Sequence, residues 1–270
     1  MLDLSLIAQL LALGAAGGLI AGLLGVGGGM VLVPFLTAML GARGVPLDVA
    51  VKMGVATGMA TIVFTSVSSQ RAHHLRGAVR WDFVRSIAPG ILIGALLASL
   101  GVFSLLKGQW LALIFAVFVA FSATQMLLGR QPKASRTMPG TAGRVAAGTG
   151  IGFLSGLVGA GGGFISVPFM TWCNVPMHMA VGTSAALGLP IALFNSIGYA
   201  ISGWGLAGRP EYSLGYIWLP ALATLVSCSV LTAPIGARLA HALDVRPLKR
   251  IFALLLYALA AYMLFKAVSA

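Results

Sequence analysis

One stretch of this chain occurs twice. Gly18–Thr37 and Gly152–Thr171 align without a gap. In each copy an apolar run is broken by G-x-G-G-G and resumes with Val-Pro-Phe, at Val33-Pro34-Phe35 and Val167-Pro168-Phe169. The glycines are Gly25, Gly27, Gly28 and Gly29 in the first copy, and Gly159, Gly161, Gly162 and Gly163 in the second. An internal repeat decides the architecture before any local reading does, and here it specifies two copies of one unit. The similarity extends past the break, since Val45-Pro46-Leu47-Asp48-Val49-Ala50 matches Val175-Pro176-Met177-His178-Met179-Ala180.

The runs around the breaks are those of a membrane protein. Hydrophobic residues make up 59% of the chain and charged residues 8%, against about 25% charged in a soluble domain. The runs are continuous rather than alternating and reach about 20 residues, the length of a spanning helix. A barrel strand would be short and alternating, so the fold class expected is an all-α polytopic membrane protein. The first half, residues 1–129, reads as Leu4–Leu24, the break, a short segment Met30–Leu40, then spans Val49–Gln70, Phe83–Leu106 and Trp110–Leu128. A basic link occupies 130–144. The second half, 145–270, repeats the plan with Val145–Val158, the break, Phe164–Trp172, then Met179–Gly203, Tyr212–Ala237 and Leu248–Val268.

The net charge of +12 would suggest nucleic acid in a soluble chain. Here the basic residues sit in short loops between apolar runs, where they set topology. Three segments are rich in them: Arg71–Arg85, the link with Arg130, Lys133, Arg136 and nearby Arg144, and Arg238–Arg250. All three are expected on the cytoplasmic side of the cell's inner membrane. The other loops are poor in charge and are expected outside. Passing from Arg144 inside to Arg209 outside takes an odd number of crossings. A single span through the second break, followed by Met179–Gly203, makes an even number. A hairpin or re-entrant break restores the parity. The two halves then run in opposite directions, the inverted repeat common among secondary transporters, with both chain termini outside. The alternative is eight conventional helices with parallel halves, which leaves the Arg209–Glu211 loop inside.

Glycine destabilises a helix interior by about 1 kcal/mol relative to alanine, and irregular backbone at membrane depth survives only where protein buries it or water reaches it. A hairpin at the break would start short helices near Met30 and Phe164. Their free N–H groups and positive dipole ends would point toward the bilayer centre, which is anion-binding geometry. The competing reading is packing: Gly18-x-x-x-Gly22 and Gly25-x-x-x-Gly29 also fit the small-residue spacing of close helix contacts.

G-x-G-G-G-x-x-x-x-P twice, followed by Ala180-Val181-Gly182-Thr183-Ser184, resembles the sulfite exporter TauE/SafE family of membrane permeases. The first half departs from the second motif: Val55-Ala56-Thr57-Gly58 keeps the threonine and loses the serine. Thr65-Ser66 and Ser68-Ser69, followed by His73 and Gly77, also fit the family pattern. The resemblance implies transport of small sulfur-containing or organic anions, such as sulfite, sulfonates and sulfoacetate. The substrate-binding candidates are therefore the eight break glycines with Thr57, Thr183, Ser184 and Asn195, the last an amide in mid-span. A hydroxyl bonding its own helix backbone, or an amide joining helices, is the alternative role for these polar groups.

Asp3, Asp48, Asp82, Glu211 and Asp244 all fall at span ends or in loops. Lys52 is expected to snorkel outward, and His73-His74 to be solvated loop residues. The spans contain no pair of acids and no His cluster at metal-ligand spacing, so no enzyme, metal or cofactor is expected. The partners expected are a small anion and the lipid bilayer, with homo-oligomerisation left open. A passive anion channel is the competing transport class.

Overall fold

The computed structural model describes residues 3–25, 27–128, 135–206, 209–242 and 246–269. Val26 inside the first break, Arg130 and Lys133 of the link, and Asp244 lie outside the described residues. The chain forms ten helices among the described residues: α1 Leu4–Leu24, α2 Gly29–Gly41, α3 Leu47–His74, α4 Trp81–Leu105, α5 Gly108–Leu128, α6 Thr141–Val158, α7 Gly163–Trp172, α8 Met177–Ser202, α9 Leu219–Ala242 and α10 Arg246–Val268. Seven of them, α1, α3, α4, α5, α8, α9 and α10, are long and apolar enough to cross a membrane.

Local sequence explains most boundaries. Asp3 caps α1 by accepting a 2.9 Å hydrogen bond from the Leu6 N–H, which satisfies one of the four orphan donors of a helix start. Pro46 and Pro176 stand at the N-caps of α3 and α8. Two features depart from the apolar pattern. The expected span from Tyr212 does not begin there: Tyr212 and Gly215 take left-handed backbone, with φ of 60° and 57°, and Ser213–Leu214 pairs antiparallel with Ile217–Trp218. The helix starts at Leu219 and continues to Ala242. Within α4, Leu97–Val102 forms a π-helical turn.

The helices pack with the two halves interleaved. α1 lies along α9 in parallel: Gly14 sits against the Leu225 carbonyl, Gly18 against Ser229 and Gly22 against Ala233 and Ala237. α4 lies along α6 in the same way: Gly148 sits against Ile87, Gly152 against Ile91, and Gly94 against Thr149 and Phe153. These glycine stripes bring backbones into direct contact, which is the packing half of the sequence expectation. α3 and α8 cross at the centre in opposite directions, Ser66 meeting Gly188 and Ala78, in the loop just past α3, meeting Gly182. α3 is the most enclosed of the spans. α5 and α10 pair at the periphery, where the Thr124 and Tyr257 hydroxyls are 2.6 Å apart.

The described acids lie at helix ends or in loops. Asp3 pairs with Arg43 and Asp82 with Arg80. Asp48 pairs with Lys52 at 3.5 Å and also accepts a bond from the Gly108 N–H. Lys52 thus reaches back to the half-exposed Asp48 at the start of α3. Its side chain is buried against Asp48, with the ammonium 5.8 Å from the centre of the Tyr216 ring.

Candidate functional site: two helix breaks that meet

Each first helix ends in the same way. Gly25 and Gly159 close α1 and α6 with φ of 68° and 72°, their N–H groups bonding back to Ala21 and Ser155. Gly28 and Gly162 then open α2 and α7 with φ of 73° and 78°, and neither helix start has a side-chain cap. A non-glycine residue in left-handed backbone costs about 1–2 kcal/mol, so Gly25 and Gly28 in the first copy, and Gly159 and Gly162 in the second, demand glycine. Without side-chain caps, the first N–H groups of α2 and α7 have no intrahelical partner.

The two breaks touch each other. A methyl added to Gly27 would lie 2.9 Å from the Gly161 Cα, and one added to Gly29 would overlap the Gly159 carbonyl oxygen. Ile62 of α3 covers Gly27 and Gly29, and Ile191 of α8 covers Gly162. The starts of α2 and α7 thus arrive at one central point, one from each half. Both carry the positive end of a helix dipole.

A crevice opens on this point. It is lined by Gly25 and Gly27 of one break and Gly161 of the other, with Thr65, Ser66 and Ser69 of α3. Its volume of about 10 Å³ matches the minimum for a single water. Thr65 donates to the Thr61 carbonyl and Ser66 to the Val63 carbonyl, and Thr65 also contacts the Ser229 hydroxyl at 2.9 Å. The Ser69 hydroxyl is buried and has no partner. A buried hydroxyl left unpaired costs about 1–3 kcal/mol, so it marks a place that a polar guest would relieve.

The polar candidates divide by place. Thr57 accepts a 3.0 Å hydrogen bond from the Trp218 N–H just before α9, and Thr183 accepts one of 3.0 Å from the Arg80 N–H just before α4. They are structural equivalents, each holding the entry to a helix of the opposite half. Thr57 lies one helical turn further from Pro46 than Thr183 lies from Pro176, which marks an extra turn at the start of α3. Ser184 sits at the first break, donating to the Gly25 carbonyl at 3.0 Å and accepting from Ser166 at 2.8 Å. The Asn195 amide donates to Ile191 at 2.8 Å and more weakly to Gly152 at 3.5 Å, joining α8 to α6 below the second break. Of the hydroxyls named from motif matching, Thr65, Ser66 and Ser69 reach the crevice, while Thr57 and Thr183 sit away from it.

Two further residues hold the breaks: Tyr199, which carried no sequence signal, and His73, which motif matching named without this role. Tyr199 donates to the Gly156 carbonyl, and His73 bonds the Gly22 carbonyl through Nε2 at 3.0 Å. His73 is buried, not solvated. Cys173, just past α7, is buried, and burial pushes its thiol up against the opposing effect of Arg136. It stays protonated and acts as a packing residue.

Residues 10–263 match the family model described as sulfite exporter TauE/SafE. The chain is 37% identical over 257 residues to a probable membrane transporter protein of Haemophilus influenzae, covering 95% of this chain and 97% of that one. It is 25% identical over 265 residues to a probable membrane transporter protein of Methanocaldococcus jannaschii, covering 97% and 96%. The probable membrane transporter protein YunE of Bacillus subtilis is 29% identical over 213 residues, covering 72% and 78%. No solved structure matches the chain.

Proposed function

The chain belongs to the sulfite exporter TauE/SafE family, and on that premise we propose that it is a secondary transporter that moves a small sulfur-containing or organic anion across the cytoplasmic membrane. The observation that carries this reading is the meeting of two uncapped helix starts at a crevice with an unpartnered Ser69 hydroxyl. A sulfite or sulfonate presents three acceptor oxygens. Backbone N–H groups of α2 and α7 and the hydroxyls of α3 supply donors for them. The break glycines let the backbone come close to the anion, and Ser184 holds the first break in shape.

The crevice admits a water but not a sulfonate, so the anion enters only when the breaks separate. That favours alternating access over an open pore. Residues 1–129 and 145–270 are then the two halves of an inverted repeat. The parallel registers of α1 with α9 and of α4 with α6, and the opposed crossing of α3 and α8, support it. Followed along the chain, these directions turn equivalent helices of the two halves opposite ways. They also gather Arg71, Arg76, Arg136 and Arg238 at one end of the bundle, the cytoplasmic end by the positive-inside rule. Both termini then lie outside. Cysteines placed at the two ends are expected to label from the external side; cytoplasmic labelling of either removes the inverted repeat.

The test of function is uptake into liposomes containing the purified protein, with sulfite, methanesulfonate, sulfoacetate and acetate supplied in parallel. Saturable flux of at least one sulfur oxyanion is expected. Acetate moving while all three sulfur compounds fail would replace the substrate class, and failure of all four, with no thermal shift by any, would remove the transport reading.

A further inference from the structure

We propose that His73 and His241 form a proton-binding site whose occupancy governs release of the first helix break, so that the proton is the coupling ion of this transporter. This rests on the reading of the breaks as the moving parts of a transport site.

The repeat itself isolates the pair. Gly22 and Gly156 occupy the same place in the aligned copies, one turn before each break. Each has its carbonyl held by a buried side chain from the central helix of its half: Tyr199 of α8 holds Gly156, and His73 of α3 holds Gly22. Each holding residue then meets a ring from the other half. Tyr199 lies against Phe103 of α4, ring centres 4.4 Å apart. His73 lies against His241 of α9, its Nδ1 3.2 Å from the Nε2 of His241. The same brace is built twice, once from Tyr and Phe and once from two imidazoles. Tyr and Phe suffice to hold a carbonyl and fill the space. Two imidazoles add groups that can bind protons, as Tyr and Phe cannot.

The hydrogen bonds count the protons. The Gly22 carbonyl only accepts, so His73 Nε2 carries a hydrogen. In neutral His73 the Nδ1 holds a lone pair, and His241 Nε2 donates to it. The closed brace therefore has one nitrogen free for a further proton, Nδ1 of His241, whose residue is exposed at the basic end of the bundle. A second added proton would have to sit on His73 Nδ1, opposite the N–H of His241, and two donors cannot share one line. The opened brace takes two protons, one on each ring. One proton separates the two states, so acid favours opening by about tenfold in the equilibrium per pH unit across the titration. The charged and titratable groups facing the pair are Arg76, just past the end of α3, and His178 at the start of α8, while α1 presents the Gly22 carbonyl. A doubly protonated pair meets like charge from Arg76, and the two rings repel each other, which drives them apart.

Release of the Gly22 carbonyl acts directly on the site. Gly22 lies in the last turn of α1, and its neighbours Ala21 and Gly25 line the crevice with Ser69. Opening the brace frees that wall.

The experiment places a reporter thiol in the crevice, Ser69→Cys with Cys173→Ser and Cys228→Ser. Maleimide labelling of the purified protein is followed from pH 8 to pH 5.5, each rate divided by that of the unfolded protein at the same pH to remove thiol chemistry. The normalised rate is expected to rise by about tenfold per pH unit across the titration. His73→Tyr with His241→Phe copies the brace at the other end and is expected to label slowly at every pH. His73→Gln keeps a donor for the Gly22 carbonyl and removes the buried ring that titrates, so labelling is again expected to be flat. This single change decides the matter if the double variant does not fold. A flat parent, or a pH dependence that survives His73→Gln, overturns the proposal. Labelling needs no substrate: a flat parent that still moves sulfite removes the proton site alone, whereas acid-dependent labelling without anion flux supports the proton site and removes the transport reading.

Discussion

The two helix breaks have the same backbone and different supports. Gly25 and Gly159, then Gly28 and Gly162, adopt matching left-handed turns, and Thr57 and Thr183 hold matching helix entries. Around them the halves diverge. The first break has its Gly25 carbonyl held by Ser184, and the last turn before it is held by His73. The second has its Gly159 carbonyl packed against Gly29, and the last turn before it is held by Tyr199. Gly58 stands where symmetry would put a second serine. Backbone turns and helix entries are what any such unit needs to fold, and they are duplicated. The side chains that hold the breaks are where one break becomes separable from the other. The first rests on hydroxyl and imidazole bonds, which are exchangeable with water or protons. The second rests on close backbone contact and a tyrosine hydroxyl bond backed by an aromatic pair, with no group that titrates near neutral pH.

The largest effects should fall on what the breaks share. Gly28→Leu and Gly162→Leu each force a branched side chain into left-handed backbone, at Gly28 against the Gly17 carbonyl and at Gly162 against Ile191. Strain of about 1–2 kcal/mol comes from the backbone alone. Both variants should insert in the membrane yet lose anion flux by at least tenfold, measured in liposomes at matched protein content. Normal flux in both would return the glycines to simple packing. Next come the shared threonines. Thr57→Val removes the acceptor for a fully buried N–H, that of Trp218, whereas Thr183→Val removes one for the partly exposed Arg80. A buried donor left unpaired costs about 1–3 kcal/mol, and water relieves an accessible one. Thermal midpoints in detergent should fall for both variants, and further for Thr57→Val. Equal falls would mean that water reaches both sites.

Much of this was legible in the sequence because repetition and hydropathy act over long stretches. The ends of α1 at Leu4 and Leu24, the short helices after the breaks, and most span limits follow from apolar runs bounded by glycine, proline and charge. The Tyr212–Trp218 hairpin did not, since two left-handed residues reverse an apolar stretch that composition reads as continuous. The crevice was half visible: Thr65, Ser66 and Ser69 stood out as a polar end of α3, but nothing in the sequence says that this end folds over the glycines. His73 and Tyr199 were illegible as equivalents. Their residue types differ, and the extra turn in α3 shifts the register that aligned the breaks, so only three-dimensional placement pairs them. The longer connection between α8 and α9, which contains the hairpin, hid the equivalence of His241 and Phe103 in turn.

The smallest effects should come from exchanging the supports themselves. Ser184→Ala deletes the bond to Gly25 and leaves Ser166 without its acceptor. Interhelical hydrogen bonds in membrane proteins contribute about 0.6 kcal/mol on average and up to about 1.7, so the thermal midpoint should fall slightly and the first break should open more readily, seen as faster labelling of the Ser69→Cys reporter. Gly58→Ser makes the reciprocal change. A Cβ there meets Leu32 and Val33 at 3.5 Å, ordinary contact distance, and serine in a helix gains about 0.5 kcal/mol over glycine. The new hydroxyl takes the position of Ser184 relative to the other break. It should leave labelling at the first break unchanged and raise the thermal midpoint by a small amount. If Gly58→Ser slows labelling at the first break as much as Ser184→Ala speeds it, the two breaks move as one body, and the separation of a mobile first break from a fixed second one is wrong.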